Sequence, residues 1–352
     1  MSVSPCYGAH KTIFALTTCG LEAISAYEIA QIPGVTITQM TYRRIAATYK
    51  GSLVSLLSLR TVDDVFLDVA TWSNIERPRS TLERLHELST QLDLHETATL
   101  CAELRHIGYP PTFSVTVSFV GKRNYTTEEI KTLLASSIQK SHGWQYQQDD
   151  RLADLNIRLF IDHEIAFVGI RLDKNALHER CYKQVHLTGS LKPSLAAALI
   201  RLGRVNRHTS VLDPCCGSGT IVIEAGLLGA AAYGGDDDPK AVAAARTNAQ
   251  AAGITANIQR WDAQALPIAT ASIDCVISNL PWGRQVTVDK ELSVFYRKVF
   301  WEMRRVLAPH GRIVVLTAVP ELIDPRDLEC VERFEISLYG QRPTILVFGF
   351  KI

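Results

Sequence analysis

The first 60 residues alternate between stretches of β-forming residues and stretches with apolar residues at helical spacing. Residues 12–17 favour a strand, and the apolar positions between residues 21 and 32 follow one face of a helix. After a Pro-Gly turn, residues 35–37 and 45–49 favour two more strands, and leucines at residues 53–59 favour a helix. The pattern predicts an α+β unit.

A second unit follows a polar stretch of the chain. Residues 82–92 predict a helix, and residues 113–119 alternate strictly between apolar and polar positions, as in a half-buried strand. The basic turn at residues 121–125 leads to Thr126, which we interpret as the N-cap of a helix because Glu128 and Glu129 follow it. Two further strands, joined by a hairpin turn, are predicted at residues 154–161 and 164–172.

From residue 192 onward, short apolar strands alternate with Ala-rich helices. This alternation predicts a parallel sheet that is buried on both faces. Two late strands lie too close together for a crossover, so we expect them to pair antiparallel. The predicted strands are residues 211–212, 233–235, 273–278, 312–317, 334–338 and 344–350, and the predicted helices are residues 195–202, 220–228, 239–252 and 294–307.

Length and composition set limits on the class of protein. A chain of 352 residues suggests two or three domains. No apolar run approaches the roughly 20 residues that cross a bilayer, and the first residues lack the apolar centre of a signal peptide. The 8 cysteines form no CxxC pair, so we expect reduced thiols, no metal and a cytoplasmic protein.

The charge balance argues against binding nucleic acid through bulk electrostatics. The net charge is +1, and residues 1–190 carry 19 basic and 20 acidic side chains. An RNA partner would therefore have to be recognised through local patches and shape.

A glycine-rich loop provides the strongest chemical signal. The sequence VLDPCCGSGT at residues 211–220 lies between a predicted strand and a predicted helix. It lacks the lysine of a phosphate-binding loop and the third glycine of a dinucleotide loop. It resembles the first motif of class I S-adenosylmethionine methyltransferases, in which the acid and the glycines hold the methionine moiety. The predicted cofactor residues here are Asp213, Pro214, Cys215, Cys216, Gly217, Ser218, Gly219 and Thr220.

Carboxylates after the next two strands complete the predicted cofactor site. Asp236 lies at the end of the second strand, where a carboxylate can accept hydrogen bonds from both ribose hydroxyls. Asp237 stands where related enzymes usually have an apolar residue against the adenine. Asp238 precedes a proline and fits the N-cap of the next helix. Asp262 and Ala263 stand where related enzymes accept a hydrogen bond from the adenine amino group.

A second motif, NLPWG at residues 279–283, follows the fourth strand. It resembles the (Asn/Asp)-Pro-Pro-aromatic motif of amino-methyltransferases. The amide oxygen of Asn279 and the carbonyl of Leu280 or Pro281 could accept the two hydrogens of an exocyclic base amine. Asn279 is also among the predicted cofactor-binding residues. That arrangement favours a pyramidal nitrogen with its lone pair aimed at the methyl group. Trp282 supplies a flat surface for stacking the base.

Across nearly its whole length, the sequence resembles tRNA guanine-N2 methyltransferases with an N-terminal ferredoxin-like domain and a THUMP domain. The matching stretches are residues 18–22, 113–123, 177–182 and 191–197, together with the glycine loop. The Asn-Leu-Pro-aromatic-Gly form of the second motif is similar to members that act in the acceptor stem near the sixth nucleotide.

The resemblance implies an α/β fold: a Rossmann-like class I methyltransferase with a seven-stranded, mostly parallel sheet, preceded by α+β ferredoxin-like and THUMP domains. The implied domains are residues 1–70, 71–182 and 183–352. S-adenosylmethionine is the implied cofactor, with Lys192, Pro193 and Ser194 closing over it. The THUMP domain would grip the 3′ end of tRNA, and Lys122 and Arg123 are our candidates for that grip. We expect no membrane partner and a monomer, and leave an activating subunit open.

Two alternatives remain open at this point. One is guanine-N2 methylation of ribosomal or small nuclear RNA instead of tRNA. The other is an RNA-binding protein with an inactive methyltransferase fold, which the presence of Asp213, Asp236 and Asn279 argues against.

Overall fold

The structure, a computed structural model, describes residues 10–282, 292–338 and 340–350. The described residues divide into two compact units. The N-terminal unit comprises residues 10–17 and 26–177, and the C-terminal unit comprises residues 18–25 and 178–350.

A mixed eight-stranded sheet organises the N-terminal unit, in the order β2-β3-β1-β4-β8-β7-β5-β6. β5 pairs parallel with β6 and β7, and every other neighbouring pair is antiparallel. The elements up to residue 177 are β1 (Lys11–Leu16), α1 (Glu22–Ala30), β2 (Val35–Thr41), β3 (Arg44–Tyr49), a 3-10 helix (Leu53–Ser58), β4 (Asp64–Trp72), α2 (Thr81–Thr90), α3 (His95–Ala102), β5 (Thr112–Phe119), α4 (Thr127–His142), β6 (Gln145–Tyr146), β7 (Leu155–Asp162) and β8 (Ile165–Arg171).

The sheet continues through the boundary that the sequence suggested at residue 70. That boundary falls inside β4, which pairs with β1 on one side and β8 on the other. The sequence pattern missed β4 because Asp64 and Asp68 occupy positions that a buried strand usually fills with apolar residues. The Asp64 carboxylate is buried, and it accepts a hydrogen bond of 2.6 Å from Nε of Arg171, which lies 107 residues away.

Local signals in this unit are confirmed. Thr126 caps α4: its hydroxyl accepts from the amide of Glu129 at 3.2 Å, and the Glu129 carboxylate accepts from the amide of Thr126 at 2.8 Å. The predicted hairpin joins β7 and β8, with His163 in the left-handed region at φ 52°. The predicted helix at residues 53–59 is the 3-10 helix.

A seven-stranded sheet organises the C-terminal unit, in the order β11-β10-β9-β12-β13-β15-β14. Its strands are parallel except β15, which pairs antiparallel with both β13 and β14. The antiparallel pairing expected for the two late strands is therefore confirmed. The elements are α5 (Pro193–Leu202), β9 (Ser210–Asp213), α6 (Thr220–Leu227), β10 (Ala231–Asp236), α7 (Pro239–Ala251), β11 (Asn257–Arg260), β12 (Ile273–Asn279), α8 (Leu292–Val306), β13 (Leu307–Thr317), a 3-10 helix (Pro320–Leu322), β14 (Leu328–Glu335) and β15 (Thr344–Phe350).

Successive residues of the central strands are buried on opposite faces of this sheet. Val211 packs in one apolar cluster with α5, α6 and α7, whereas Leu212 packs in another with α8. The predicted parallel sheet buried on both faces is therefore confirmed. The expected strand at residues 334–338 was misplaced, since β14 ends at Glu335; charged residues along this edge strand hid its apolar positions.

A short early segment belongs to the C-terminal unit. The carbonyl of Cys19 accepts from the amide of Ser337 at 3.1 Å, and Leu21 is buried in the same cluster as Val211. None of the helices in the described ranges combines the length and hydropathy needed to cross a bilayer. In the same ranges, no three His, Cys, Asp or Glu side chains converge in an arrangement that could hold a metal ion.

Candidate active site

The glycine loop lies between β9 and α6. Gly217 and Gly219 have φ values of 52° and 83°, which L-residues rarely adopt. A Cβ on Gly219 would come within 2.9 Å of the Cβ of Ala245, so a glycine lets α7 approach the loop closely. A Cβ on Gly217 would meet nothing within 4 Å. The loop backbone therefore faces open space at Gly217, where a ligand can reach it.

Asp213 ends β9, and its carboxylate is almost completely buried. Its Oδ1 accepts from the hydroxyl of Ser278 at 2.7 Å and from the amide of Cys215 at 3.2 Å. Oδ2 accepts from no donor in the described part of the chain. Burial raises the pKa of Asp213 to about 7, the hydrogen bonds from Ser278 and Cys215 lower it, and the nearby Asp236 raises it. A cationic group placed against Oδ2 would restore the ionised form.

This pKa predicts a pH-dependent effect of Asp213→Asn. Since the pKa is raised in the folded state, the folded protein binds the proton more tightly than the unfolded one. Asp213 therefore lowers the free energy of unfolding, and it does so by a growing amount as pH rises from about 4 through 7. We expect the asparagine variant to gain stability relative to the wild type between pH 5 and pH 8, in denaturant unfolding of both proteins without ligand. A stability difference that is independent of pH would contradict the prediction.

Asp236 joins the end of β10 to the glycine loop. Its Oδ2 accepts from the amide of Gly217 at 2.9 Å, and its Oδ1 accepts from the amide of Asp238 at 3.1 Å. Each oxygen keeps one further lone pair, so the carboxylate can still accept two hydroxyl donors. Burial raises the pKa of Asp236, and the two amide hydrogen bonds lower it.

The other predicted cofactor residues after β10 and β11 have different environments. Asp238 caps α7 by accepting from the amide of Lys240 at 2.8 Å, which confirms its predicted structural role. Asp237 is exposed. Asp262 is exposed as well, and its Oδ1 accepts from the amide of Gln264 at 2.8 Å. Ala263 is buried.

Trp261 has a role that the sequence did not indicate. Its indole N–H donates to the carbonyl of Pro214 at 3.1 Å, which ties the end of β11 to the glycine loop. A Cβ on Gly235 would lie 2.2 Å from the indole ring. The second glycine before Asp236 therefore makes room for this tryptophan.

A polar bridge holds the segment before α5 against the glycine loop. Nδ2 of the buried Asn248 donates to the carbonyls of Ser218 and Val185, both at 3.0 Å. The hydroxyls of Ser190 and Ser218 lie 2.6 Å apart. Sequence analysis missed Asn248, although an asparagine on the buried, alanine-rich face of α7 was an available signal. The predicted residues Lys192, Pro193 and Ser194 follow this segment, with Lys192 as N-cap of α5 and Pro193 and Ser194 buried.

The second motif begins where β12 ends. β12 neighbours β9, so their carboxyl ends lie side by side, and the bond between Ser278 and Asp213 links them directly. Oδ1 of Asn279 accepts from the indole N–H of Trp282 at 3.1 Å, and the amide of Leu280 donates to the carbonyl of Leu316 at 3.0 Å. The structure thus brings the two predicted motifs to one edge of the sheet. Gly283 lies outside the described residues.

The two basic candidates in the N-terminal unit, Lys122 and Arg123, have different environments. Lys122 is exposed. The Arg123 guanidinium donates to the carbonyls of Ile75, Glu76 and His163 and to the hydroxyl of Tyr125. These bonds give Arg123 a structural role in fixing the turn and leave Lys122 as the accessible cation of the pair.

Comparison with known proteins identifies both parts of the chain. The model of the RMKL-like methyltransferase domain matches residues 180–342, and the THUMP domain model matches residues 89–171. A curated tRNA (guanine(6)-N2)-methyltransferase of Thermus thermophilus is 32% identical over 60% of this chain and 63% of its own length. The human U6 snRNA (guanine-N(2))-methyltransferase THUMPD2 is 30% identical over 56% of this chain.

The chain spans less than two thirds of these curated relatives, and only 38% of the human one. The crystal structure of TrmN from Thermus thermophilus matches over 97% of this chain and 100% of its own, with a TM-score of 0.77 and 26% identity. The folds of both units are therefore shared with a solved protein.

Proposed function

We propose that this chain, which belongs to the THUMP-domain methyltransferases, transfers a methyl group from S-adenosylmethionine to the exocyclic N2 of a guanosine in tRNA. The products are N2-methylguanosine and S-adenosylhomocysteine. The observation that carries the proposal is the loop at residues 279–282, whose acceptors stand at the sheet edge beside Asp213. The relative named for guanine(6) supports the acceptor stem, at the sixth nucleotide, as the target.

The residues at this edge fit S-adenosylmethionine. When bound, it supplies a methyl group on a positively charged sulfur, with the bonding electrons returning to sulfur on transfer. Oδ2 of Asp213 can receive the cationic amino group, since no described donor reaches it. Asp236 can accept the two ribose hydroxyls with its remaining lone pairs, and the open space at Gly217 lets the ligand approach the backbone.

The second motif acts on the amine. The lone pair of an exocyclic amine is delocalised into the base, which makes the nitrogen a poor nucleophile. Asn279 can accept one of its hydrogens and a loop carbonyl the other, which turns the lone pair toward the methyl group. As the N–C bond forms, the surplus proton leaves to solvent. Rate enhancement then comes mainly from positioning two reactants, which requires no nucleophilic side chain.

A nucleoside assay tests the proposal and separates it from its alternatives. Purified protein is incubated with isotope-labelled S-adenosylmethionine and with tRNA, ribosomal RNA or small nuclear RNA, and nucleosides are then identified by mass spectrometry. We expect labelled N2-methylguanosine from tRNA. Label in U6 snRNA alone would favour the activity named for the human relative. No label in any class would support the inactive RNA-binding alternative and overturn the proposal.

Lys122 provides a separate test of how the N-terminal unit would contact RNA. We expect Lys122→Glu to raise KM for RNA and to reduce the salt dependence of binding by about one unit in the log–log slope, because one phosphate contact is lost. Affinity for S-adenosylmethionine should not change. Lys50→Glu, the same charge change at another exposed lysine of this unit, serves as control. If both variants shift KM equally, Lys122 makes no specific contact.

A further inference from the structure

A buried tyrosine holds the second motif in place. The hydroxyl of Tyr296, on α8, donates to the carbonyl of Pro281 at 2.8 Å. Its side chain is 1% exposed, so water does not compete for this bond. Burial raises the pKa of Tyr296 to about 12, which keeps the hydroxyl protonated over the pH range of any assay.

A threonine on β13 completes the arrangement. The hydroxyls of Thr317 and Tyr296 lie 2.7 Å apart, and the amide of Val319 donates to the Thr317 oxygen at 3.0 Å. Because the Tyr296 proton goes to Pro281, the Thr317 proton must go to the Tyr296 oxygen. Thr317 is completely buried. The direction of each hydrogen bond is therefore fixed, from Thr317 to Tyr296 to Pro281.

This chain of hydrogen bonds distinguishes between the two loop carbonyls. Pro281 has its carbonyl engaged by Tyr296, whereas the carbonyl of Leu280 accepts from no donor in residues 10–282, 292–338 and 340–350. The peptide before Leu280 is also fixed, since the Leu280 amide donates to Leu316. Of the two carbonyls, Leu280's therefore keeps both lone pairs clear of described donors, whereas Pro281's keeps one and is held in direction by Tyr296.

We propose that Tyr296 and Thr317 are positioning residues: they hold the loop so that the Leu280 carbonyl and Asn279 Oδ1 together receive the two hydrogens of the base amine. The inference rests on the proposed function and refines it. Neither residue needs to touch the base. Both would act through the orientation of the peptide that carries Pro281.

Three variants test the inference through kinetics. Tyr296→Phe and Thr317→Val each remove one hydroxyl and keep the side-chain volume nearly constant. We expect each to lower kcat by about tenfold, the effect of one hydrogen bond, with KM for RNA and Kd for S-adenosylmethionine unchanged. Thr317→Ser retains the hydroxyl and should restore kcat. Tyr233→Phe, on β10, is the control for removing a tyrosine hydroxyl elsewhere in the same unit.

A spectroscopic measurement tests the same inference without turnover. The fluorescence of Trp282 is isolated by subtracting the spectrum of a matched Trp282→Phe protein. We expect Tyr296→Phe and Thr317→Val to make Trp282 more accessible to acrylamide, and Thr317→Ser to leave it unchanged. Unchanged quenching in both hydroxyl-deleting variants would overturn the inference, as would equal loss of kcat in Thr317→Ser and Thr317→Val. An inactive wild type with the expected quenching would overturn the proposed function alone.

Discussion

Asn279→Ala is expected to lower kcat by about 10²–10³-fold, the range for removing one group that stabilises developing charge. The alanine variant removes the oxygen that accepts a hydrogen bond from one amine hydrogen and so stabilises the charge that develops on the amine. Affinity for S-adenosylmethionine, measured by calorimetry, should stay within about twofold of the wild type, because Asn279 acts on the base.

The same change also removes the acceptor of the Trp282 indole N–H, so a control must separate the two effects. Trp282→Phe loses that hydrogen bond but keeps an aromatic ring and the Asn279 oxygen. We expect a much smaller loss of kcat in the phenylalanine variant. If Asn279→Ala retains wild-type turnover, or if both variants lose the same activity, Asn279 does not contact the reacting amine.

Asp236→Ala is expected to weaken binding of S-adenosylmethionine by at least about 30-fold, since hydrogen bonds to a charged acceptor contribute about 2 kcal/mol. Two losses combine in this variant. The ribose hydroxyls lose their acceptor, and the amide of Gly217 loses the carboxylate that orients the loop. Calorimetric titration of the purified protein measures the effect.

Two neighbouring substitutions make this experiment specific. Asp236→Asn keeps an oxygen and the side-chain shape, so we expect it to recover part of the affinity. Asp238→Ala removes a nearby carboxylate that only caps α7, and it should cost about 1 kcal/mol of stability without changing affinity. Unchanged affinity in Asp236→Ala would assign the ribose contact to another residue.

The local sequence pattern was sufficient to predict structure wherever the interacting residues are close in sequence. The cap of α4 joins residues three apart, and the hairpin after β7 needs only a short turn. The alternation of strands with helices predicted the parallel sheet, because buried strands are apolar on both faces. The glycine loop was recognisable because its conformation and the approach of α7 both require glycines.

Local pattern failed where a polar residue depends on a distant partner. Asp64 made β4 look unlike a buried strand until its bond to Arg171 was visible. Lys122 and Arg123 are adjacent and alike in charge, yet the described structure shows only Arg123 donating to carbonyls, which lie 40 and 48 residues away in sequence. The predicted limit at residue 70 lies inside β4, which pairs with β1 and with β8 in one sheet, and no local pattern around residue 70 indicated these pairings.

The sequence by itself determined the class of fold, the two motifs and the residue types that the proposed chemistry needs. Only the tertiary structure decided which of those groups already accept hydrogen bonds within the protein: Oδ2 of Asp213 and the Leu280 carbonyl meet no described donor, whereas the Pro281 carbonyl accepts from Tyr296. The physical reason is that hydrogen-bonding capacity is limited. Whether an oxygen can still accept a ligand depends on donors that folding brings to it from elsewhere in the chain.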